Sequence, residues 1–224
     1  MSASPVAERI RRENIELFAG PFGRVYSFYM ERPWLSRLIS RVVWGADVRP
    51  YYSNMERIGE LPPGATVLDV PCGAGAAFRG VRPGHDLRYI ALDLSPDMLR
   101  RARKRAAARG LTQIELVEGD AEATGVPGES VDLLLSYWGL HCFPDPGAAL
   151  AEAARTLRPG GRLEGCCFVG GETRRQRFLA KHSEVDELPR EEQLSAWLGS
   201  GAGWESAEIS RSGPFAFFSA DKPA

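Results

Sequence analysis

The chain has 224 residues and a formal net charge of −1, from 28 Lys and Arg against 29 Asp and Glu. That balance supplies no strong field to gather a polyanion, which argues against nucleic acid as a partner, and the length suits a single sizeable α/β domain. No stretch approaches the roughly 20 apolar residues of a membrane span, and the opening MSASPVAERIRRENIELF is too charged for a secretory signal, so a cytoplasmic protein with no membrane span is expected.

Residues 5 to 60 read as two to four helices. Trp34, Leu35, Leu38, Ile39, Val42 and Val43 share one helical face, with Arg37, Ser40 and Arg41 opposite. The segment is rich in rings (Phe18, Phe22, Tyr26, Phe28, Tyr29, Trp34, Trp44, Tyr51 and Tyr52), most of which should pack as core. Leu61-Pro62-Pro63-Gly64 ends the helical pattern. Short apolar runs then alternate with helical ones: strand 65–70, helix near 75–81, strand 88–92, helix 96–109, strands 113–117 and 131–136, helix 146–157, strand 162–169. The helix at 96 has Ser95 as N-cap, Pro96 in its first turn and Gly110 just beyond its end. After a helical region at about 172–199, two strand-like runs, Trp204 to Ser210 and Phe215 to Ala220, are joined by Arg211-Ser212-Gly213-Pro214, a link suited to an antiparallel hairpin.

Alternation of this kind implies a doubly wound, Rossmann-like α/β fold, with a seven-stranded, mostly parallel sheet ending in an antiparallel hairpin strand. Residues 1–60 would form a helical lid and 61–224 the main unit, with a helical insertion at about 172–199, the whole being one structural domain. Cys72, Cys142, Cys166 and Cys167 show no CxxC spacing and read as reduced core thiols, so no metal is expected.

The stretch VLDVPCGAGAAF, residues 67–78, carries a strand that ends in Asp69 and enters a glycine turn at Gly73 and Gly75. Ligands of open α/β sheets lie beyond the carboxyl ends of the strands, against such turns. A dinucleotide fingerprint GxGxxG would need glycine where Phe78 stands, and no GK[ST] is present to bind phosphates. Asp93 closes YIALD and Asp120 closes IELVEGD, so three successive strands end in acids, with glycines only at the first. Any one of these acids could simply cap a turn; three at matching strand ends fit an adenosine compound without phosphates.

On these residues the sequence resembles the class I S-adenosylmethionine-dependent methyltransferases. VLDVPCGAG is similar to their first motif, ALDLSPDML to the ribose-binding second, GDAEATGVP to the adenine-binding third, SYWGLHCFPDP to the segment after strand four, and LRPGGRL to the turn into strand five. The branch it looks most similar to includes quinone-biosynthesis and natural-product methyltransferases.

The resemblance implies S-adenosylmethionine as cofactor, S-adenosylhomocysteine as product and a small, apolar or aromatic acceptor methylated on O, N or C. It implies that Asp93 holds the ribose diol, Asp120 the adenine amino group, and Ala121 an adenine nitrogen through its backbone. Leu94 and Met98 would line the adenine pocket, Gly73 and Gly75 would face the methionine end, Asp69 would orient the ammonium, and Tyr26 would close over the cofactor. Pro71 and Cys72, in a PCG variant of the turn, and Ser136 after strand four complete the expected cofactor set. Pro71 offers no N–H and fixes φ negative.

The loop Ser136 to His141 should lie beside the transferable methyl. His141 and Tyr137 are then the candidates for a base or acceptor-orienting group, with His182 and His85 ranked below them. Phe178, Leu179 and Trp197, within 172–198, would form the opposing wall of the acceptor pocket. The basic run Arg100, Arg101, Arg103, Lys104, Arg105 and Arg109 reads as a solvated helix face. The competing reading is a non-catalytic cofactor binder serving a partner. The oligomeric state, monomer or homodimer, is left open.

Overall fold

The computed structural model describes residues 4–170, 188–199 and 203–224. Phe178, Leu179 and His182, and most of the helical region expected at about 172–199, lie outside the described residues.

Seven strands form one sheet in the order β3-β2-β1-β4-β5-β7-β6. β1 (Ala65–Asp69), β2 (Leu87–Asp93), β3 (Ile114–Glu118), β4 (Val131–Tyr137) and β5 (Leu157–Phe168) are parallel neighbours, while β7 (Phe215–Asp221) pairs antiparallel with both β5 and β6 (Ser206–Ser212). Strand order reverses between β1 and β4, and that gap is where a doubly wound sheet opens a crevice for ligand. The inner parallel strands β1, β2 and β4 are buried on both faces, as parallel strands covered by crossover helices must be, whereas the edge strands β3 and β6 are half-buried or exposed.

One core cluster joins the sheet to the N-terminal helices through Met30, Tyr51, Tyr52, Met55 and Ile58. The other packs it against α6 (Pro146–Thr156) and α7 (Glu191–Gly199) through Leu150, Leu194 and Leu198. The helix α5 (Pro96–Ala108) begins as its sequence signals, with Ser95 Oγ accepting from the Met98 N–H.

The N-terminal part folds as α1 (Pro5–Ala19), α2 (Pro21–Met30), α3 (Pro33–Ile39) continued by a π-helical turn at Ser40–Trp44, and α4 (Arg49–Glu56) followed by a 3₁₀ turn. Two local expectations change. The helix near 75–81 is a single 3₁₀ turn, Ala76–Gly80, confined between Gly75 in the left-handed region and Gly80, where a Cβ would lie 1.8 Å from the Met55 carbonyl oxygen.

In α3 the bulky apolar face points outward. Trp34 is 67% and Leu38 55% exposed, whereas Ser36 and Ser40 are buried. The small serines allow close approach, and Ser40 Oγ lies 2.8 Å from the Tyr29 hydroxyl, so this side of the helix packs inward. Phe22 and Phe28 are likewise about half exposed, so with Trp34 three of the rings of this segment lie at the surface.

Candidate active site

β1 ends at Asp69 and the chain turns through Val70-Pro71, a cis peptide, into Cys72 and Gly73. The turn is tied across to β2: the Cys72 N–H donates to the Leu92 carbonyl at 2.8 Å and the Gly73 N–H to Asp93 Oδ2 at 2.8 Å. Asp93 Oδ1 accepts from the Ser95 N–H at 2.8 Å, so both of its oxygens are met by backbone from the two loops it separates. Gly73, with φ 53°, has nothing within 4 Å of where a Cβ would stand, leaving its backbone open to the crevice. Gly75, with φ 77°, lies beneath the Phe78 ring, which would be 2.3 Å from an added Cβ; it shapes the turn and does not line the cavity. On the other side Gly139 backs onto Pro71, and a Cβ there would lie 2.3 Å from Pro71 Cδ.

Asp69 is 1% exposed and Asp93 7%. Burial, partly offset by a hydrogen bond from the Tyr89 hydroxyl at 2.9 Å, pushes the Asp69 carboxyl up to about 8, and proximity to Asp93 adds to the rise. Burial raises Asp93 to about 6 against the opposing backbone bonds from Ser95 and Gly73. Two acids desolvated at the mouths of neighbouring strands favour a cationic ligand, because a positive group would restore the charged forms.

The cavity extends from these acids in two directions. Towards β3 it is lined by Leu94, Met98, Gly119, Asp120 and Ala121. Asp120 stands two residues past the end of β3, and its Oδ1 accepts from the Glu122 N–H at 3.0 Å. Towards β4 the lining is Tyr26, Met30, Tyr51, Met55, Tyr137 and Trp138. Trp138 has φ 59°, which brings its side chain onto the same side of the sheet as that of Tyr137, where an extended residue would alternate. The Tyr51 ring packs edge-on against both, at 5.1 and 5.6 Å.

Helix α1 roofs the cavity. Arg11 Nε pairs with Asp120 Oδ2 at 2.7 Å and Arg11 Nη2 with Glu122 Oε2 at 2.7 Å, while Asn14 Nδ2 donates to the Cys142 carbonyl at 2.9 Å. Ile15 and Phe18 complete the roof. These α1 residues have no local signature, because their meaning comes from contacts more than a hundred positions along the chain. The basic helix α5 also faces these helices, since Arg105 pairs with Glu31 and Arg101 reaches the Ala19 carbonyl.

Of the expected cofactor set, Tyr26, Asp69, Pro71, Cys72, Gly73, Asp93, Leu94, Met98, Asp120 and Ala121 line this cavity. Ser136 does not: it points to the α6 side, beside Val70, Leu134 and Ala149, because it alternates with Tyr137 on β4. His141 does not either. Its ring packs on Phe168 at 5.2 Å, its Nδ1 accepts from the Phe168 N–H at 3.4 Å, and it faces a separate hollow with Pro146 and Trp197. Burial pushes its pKa down to about 4.

Tyr137 does line the cavity, and burial, followed by the proximity of Glu164, raises its pKa well above the usual value. It is therefore a hydrogen-bond donor at neutral pH. His85 sits in a surface turn, 3.2 Å from the Leu61 carbonyl. All four cysteines are free, and among the described residues no cluster of three or more His, Cys, Asp or Glu could hold a metal. Among the described residues no helix is long and apolar enough to cross a membrane.

Comparison with known proteins agrees with this geometry. Residues 68–164 match a family described as a methyltransferase domain. The chain is 38% identical over 116 residues to aklanonic acid methyltransferase DauC of Streptomyces sp. (strain C5), covering 51% of this chain and 53% of that protein. It is 30% identical over 192 residues to a chloroplastic 2-methyl-6-phytyl-1,4-hydroquinone methyltransferase of Oryza sativa, covering 81% and 55%. The chain thus spans about half the length of these curated relatives.

Among solved structures, Haemonchus contortus phosphoethanolamine N-methyltransferase 2, bound to phosphomonomethylethanolamine and S-adenosylhomocysteine, superposes with a TM-score of 0.67 at 18% identity, covering 78% of this chain and 52% of that one. The match over residues 68–164 takes in the glycine turn after β1, Asp93 and Asp120, so the part of the chain that forms the crevice at the switch of strand order is the part that matches a methyltransferase domain.

Proposed function

We propose that this protein transfers a methyl group from S-adenosylmethionine to a small apolar or aromatic acceptor, on O, N or C. The observation that carries the reading is the pair Asp69 and Asp93, both buried, both raised in pKa and both on the wall of one largely apolar cavity. A nucleoside carrying a sulfonium and an ammonium, and no phosphate, supplies the positive charge they lack.

The residues fit that group. Asp93 has lone pairs left for the ribose hydroxyls after meeting Gly73 and Ser95. Asp120 and the Ala121 N–H would take the adenine edge, with Leu94 and Met98 against its faces. Gly73 would lie along the methionine end, with Asp69 toward its ammonium and Tyr26 above it. When bound, the cofactor supplies a methyl group activated for displacement. The protein's part is then to hold the acceptor in line and exclude water.

Tyr51, Tyr137 and Trp138 give the acceptor end an aromatic wall. Among the described residues no histidine lines the cavity and Tyr137 keeps its proton, so with these groups an acceptor would arrive already nucleophilic or release its proton to solvent. The helical segment 1–60, with α1 across the opening, would act as the lid. Four free cysteines support a reducing compartment such as the cytoplasm.

The test is incubation with methyl-labelled cofactor and a panel of lipophilic phenols, hydroquinones and amines. Label transferred to an acceptor, and lost with Asp93→Ala, is the expected result. Cofactor binding without transfer to any acceptor would leave a non-catalytic binder and overturn the proposal.

A further inference from the structure

Monomeric proteins seldom leave contiguous apolar patches in water, and this one presents two helical stripes of them. On α2, Phe22, Val25 and Phe28 recur at helical spacing on the outer side, Val25 being 69% exposed. The inner side of the same helix carries Gly23, Ser27 and Met30, with Tyr26 and Met30 walling the cavity. On α3, Trp34 and Leu38 stand one turn apart and face out, because the serine face packs inward. Nothing in the described interior requires these side chains to be large.

The charge around them is predominantly positive. Between Gly20 and Asp47 stand Arg24, Arg32, Arg37 and Arg41 against two acids, Glu31 and Asp47, and Asp47, paired with Arg49, also lies within reach of the Arg37 charge. Glu31 already pairs with Arg105 and lies 3.9 Å from Arg32. The Arg32 guanidinium sits 3.6 Å from the Phe28 ring centroid. Arg24, Arg37 and Arg41 are exposed. Arg24 also lies near enough to Arg101 of α5 for their charges to interact, so the cationic surface continues past the stripes.

Docking of this face on a second copy of the chain would set arginines against arginines, since a two-fold contact brings like to like. An anionic lipid surface has the opposite charge and an apolar layer beneath it. A tryptophan beside leucine, flanked by arginines, is the side-chain set that lies at such a boundary without spanning it.

We infer that the outer face of α2 and α3 docks this protein on the surface of an anionic lipid bilayer. The helix that walls the cavity would then rest against lipid headgroups. The further step, that docking lets an apolar acceptor enter from the lipid phase, rests on the methyl-transfer reading; the docking itself does not.

The test is co-sedimentation of the full chain with phosphatidylcholine vesicles, with and without phosphatidylglycerol. Binding to the anionic vesicles only, weakened by salt, is expected. Arg37→Gln with Arg41→Gln should weaken it about 30-fold, from the loss of two cation contacts. Trp34→Ser with Leu38→Ser should weaken it at least ~10-fold. Because all four side chains are exposed, the melting temperature should not fall, which calorimetry on each variant checks. Absence of binding to anionic vesicles, equal binding to neutral ones, or binding that both double variants leave intact overturns the inference. So does light scattering that finds a dimer which Leu38→Ser dissociates. Vesicle binding with no methyl transfer to any lipophilic acceptor keeps the docking and overturns only the transferase reading.

Discussion

At the carboxyl ends of β1 and β2 the acids are fixed by the sheet and its own turns: Asp93 by the N–H groups of Gly73 and Ser95, Asp69 by the Tyr89 hydroxyl, and the turn itself by Cys72 to Leu92. Over the same cavity α1 is held by side chains alone, Arg11 on Asp120 and Glu122 and Asn14 on the Cys142 carbonyl. The first arrangement keeps its shape whether or not a ligand is present. The second depends on partly exposed ion pairs worth about 1 kcal/mol or less each, and one of them occupies an acid assigned to the ligand. A rigid floor under a replaceable roof separates selection of a ligand from admission of it.

Breaking the floor should have the largest effect. Asp93→Ala removes charge-assisted contacts to the ligand and leaves two backbone N–H groups without partners. Cofactor affinity should fall ~10²-fold or more by titration calorimetry, with Asp93→Asn intermediate. Gly139→Ala tests the floor without touching the ligand. Its Cβ would meet Pro71 Cδ at 2.3 Å, so a loss of about 1–3 kcal/mol in stability is expected from denaturant titration, accompanied by weaker cofactor binding.

The acids should also make the comparison depend on pH. A carboxyl whose pKa is raised in the folded state holds its proton longer there than in the unfolded chain, so its contribution to stability is complete below the unfolded value near 4 and is lost as pH rises. For Asp93 and Asp69 that loss should run through about 6 and about 8. The ligand-free melting temperature should therefore decline across this window. The rise in melting temperature on adding cofactor should grow over the same window, because the ligand's positive charge favours the ionised acids.

Loosening the roof should have a smaller effect, on kinetics first. Arg11→Ala frees Asp120 and opens the entrance, so cofactor association should accelerate several-fold in stopped-flow fluorescence, while affinity changes by less than about 1 kcal/mol. A fall in association rate would show that Arg11 recruits the ligand and does not cover its site. Smallest of all, His141→Ala should reduce turnover less than about tenfold, since its imidazole faces away from the cavity; a general base would cost 10²-fold or more.

The floor was legible in the sequence because each of its parts is local. A strand followed by PCGAG, and acids two strands running, name their positions through turn chemistry and strand ends alone. Ser136 was misplaced for a related reason: strand alternation sends it to the α6 side, and only the left-handed Trp138 breaks that alternation for the residues that follow. His141 drew attention as a histidine in the right loop, yet the 3₁₀ turn Leu140–Cys142 carries it toward Phe168.

The roof and the outward face of α3 could not be read in the same way. Helical periodicity finds two faces but does not say which one packs; two serines and the Tyr29 hydroxyl decide that here. Arg11 looks like any surface arginine until Asp120 is brought to it by folding.

The two ends of the chain also differ in ways that bear on handling the protein. The helix clasped by Asp120 begins at Pro5, so a load attached at its amino end pulls on the roof. Beyond β7 the Gly160 N–H, near the start of β5, donates to the Lys222 carbonyl at 3.0 Å, anchoring the tail at the far rim of the sheet. A purification handle or fluorescent reporter attached beyond β7 therefore leaves the roof untouched.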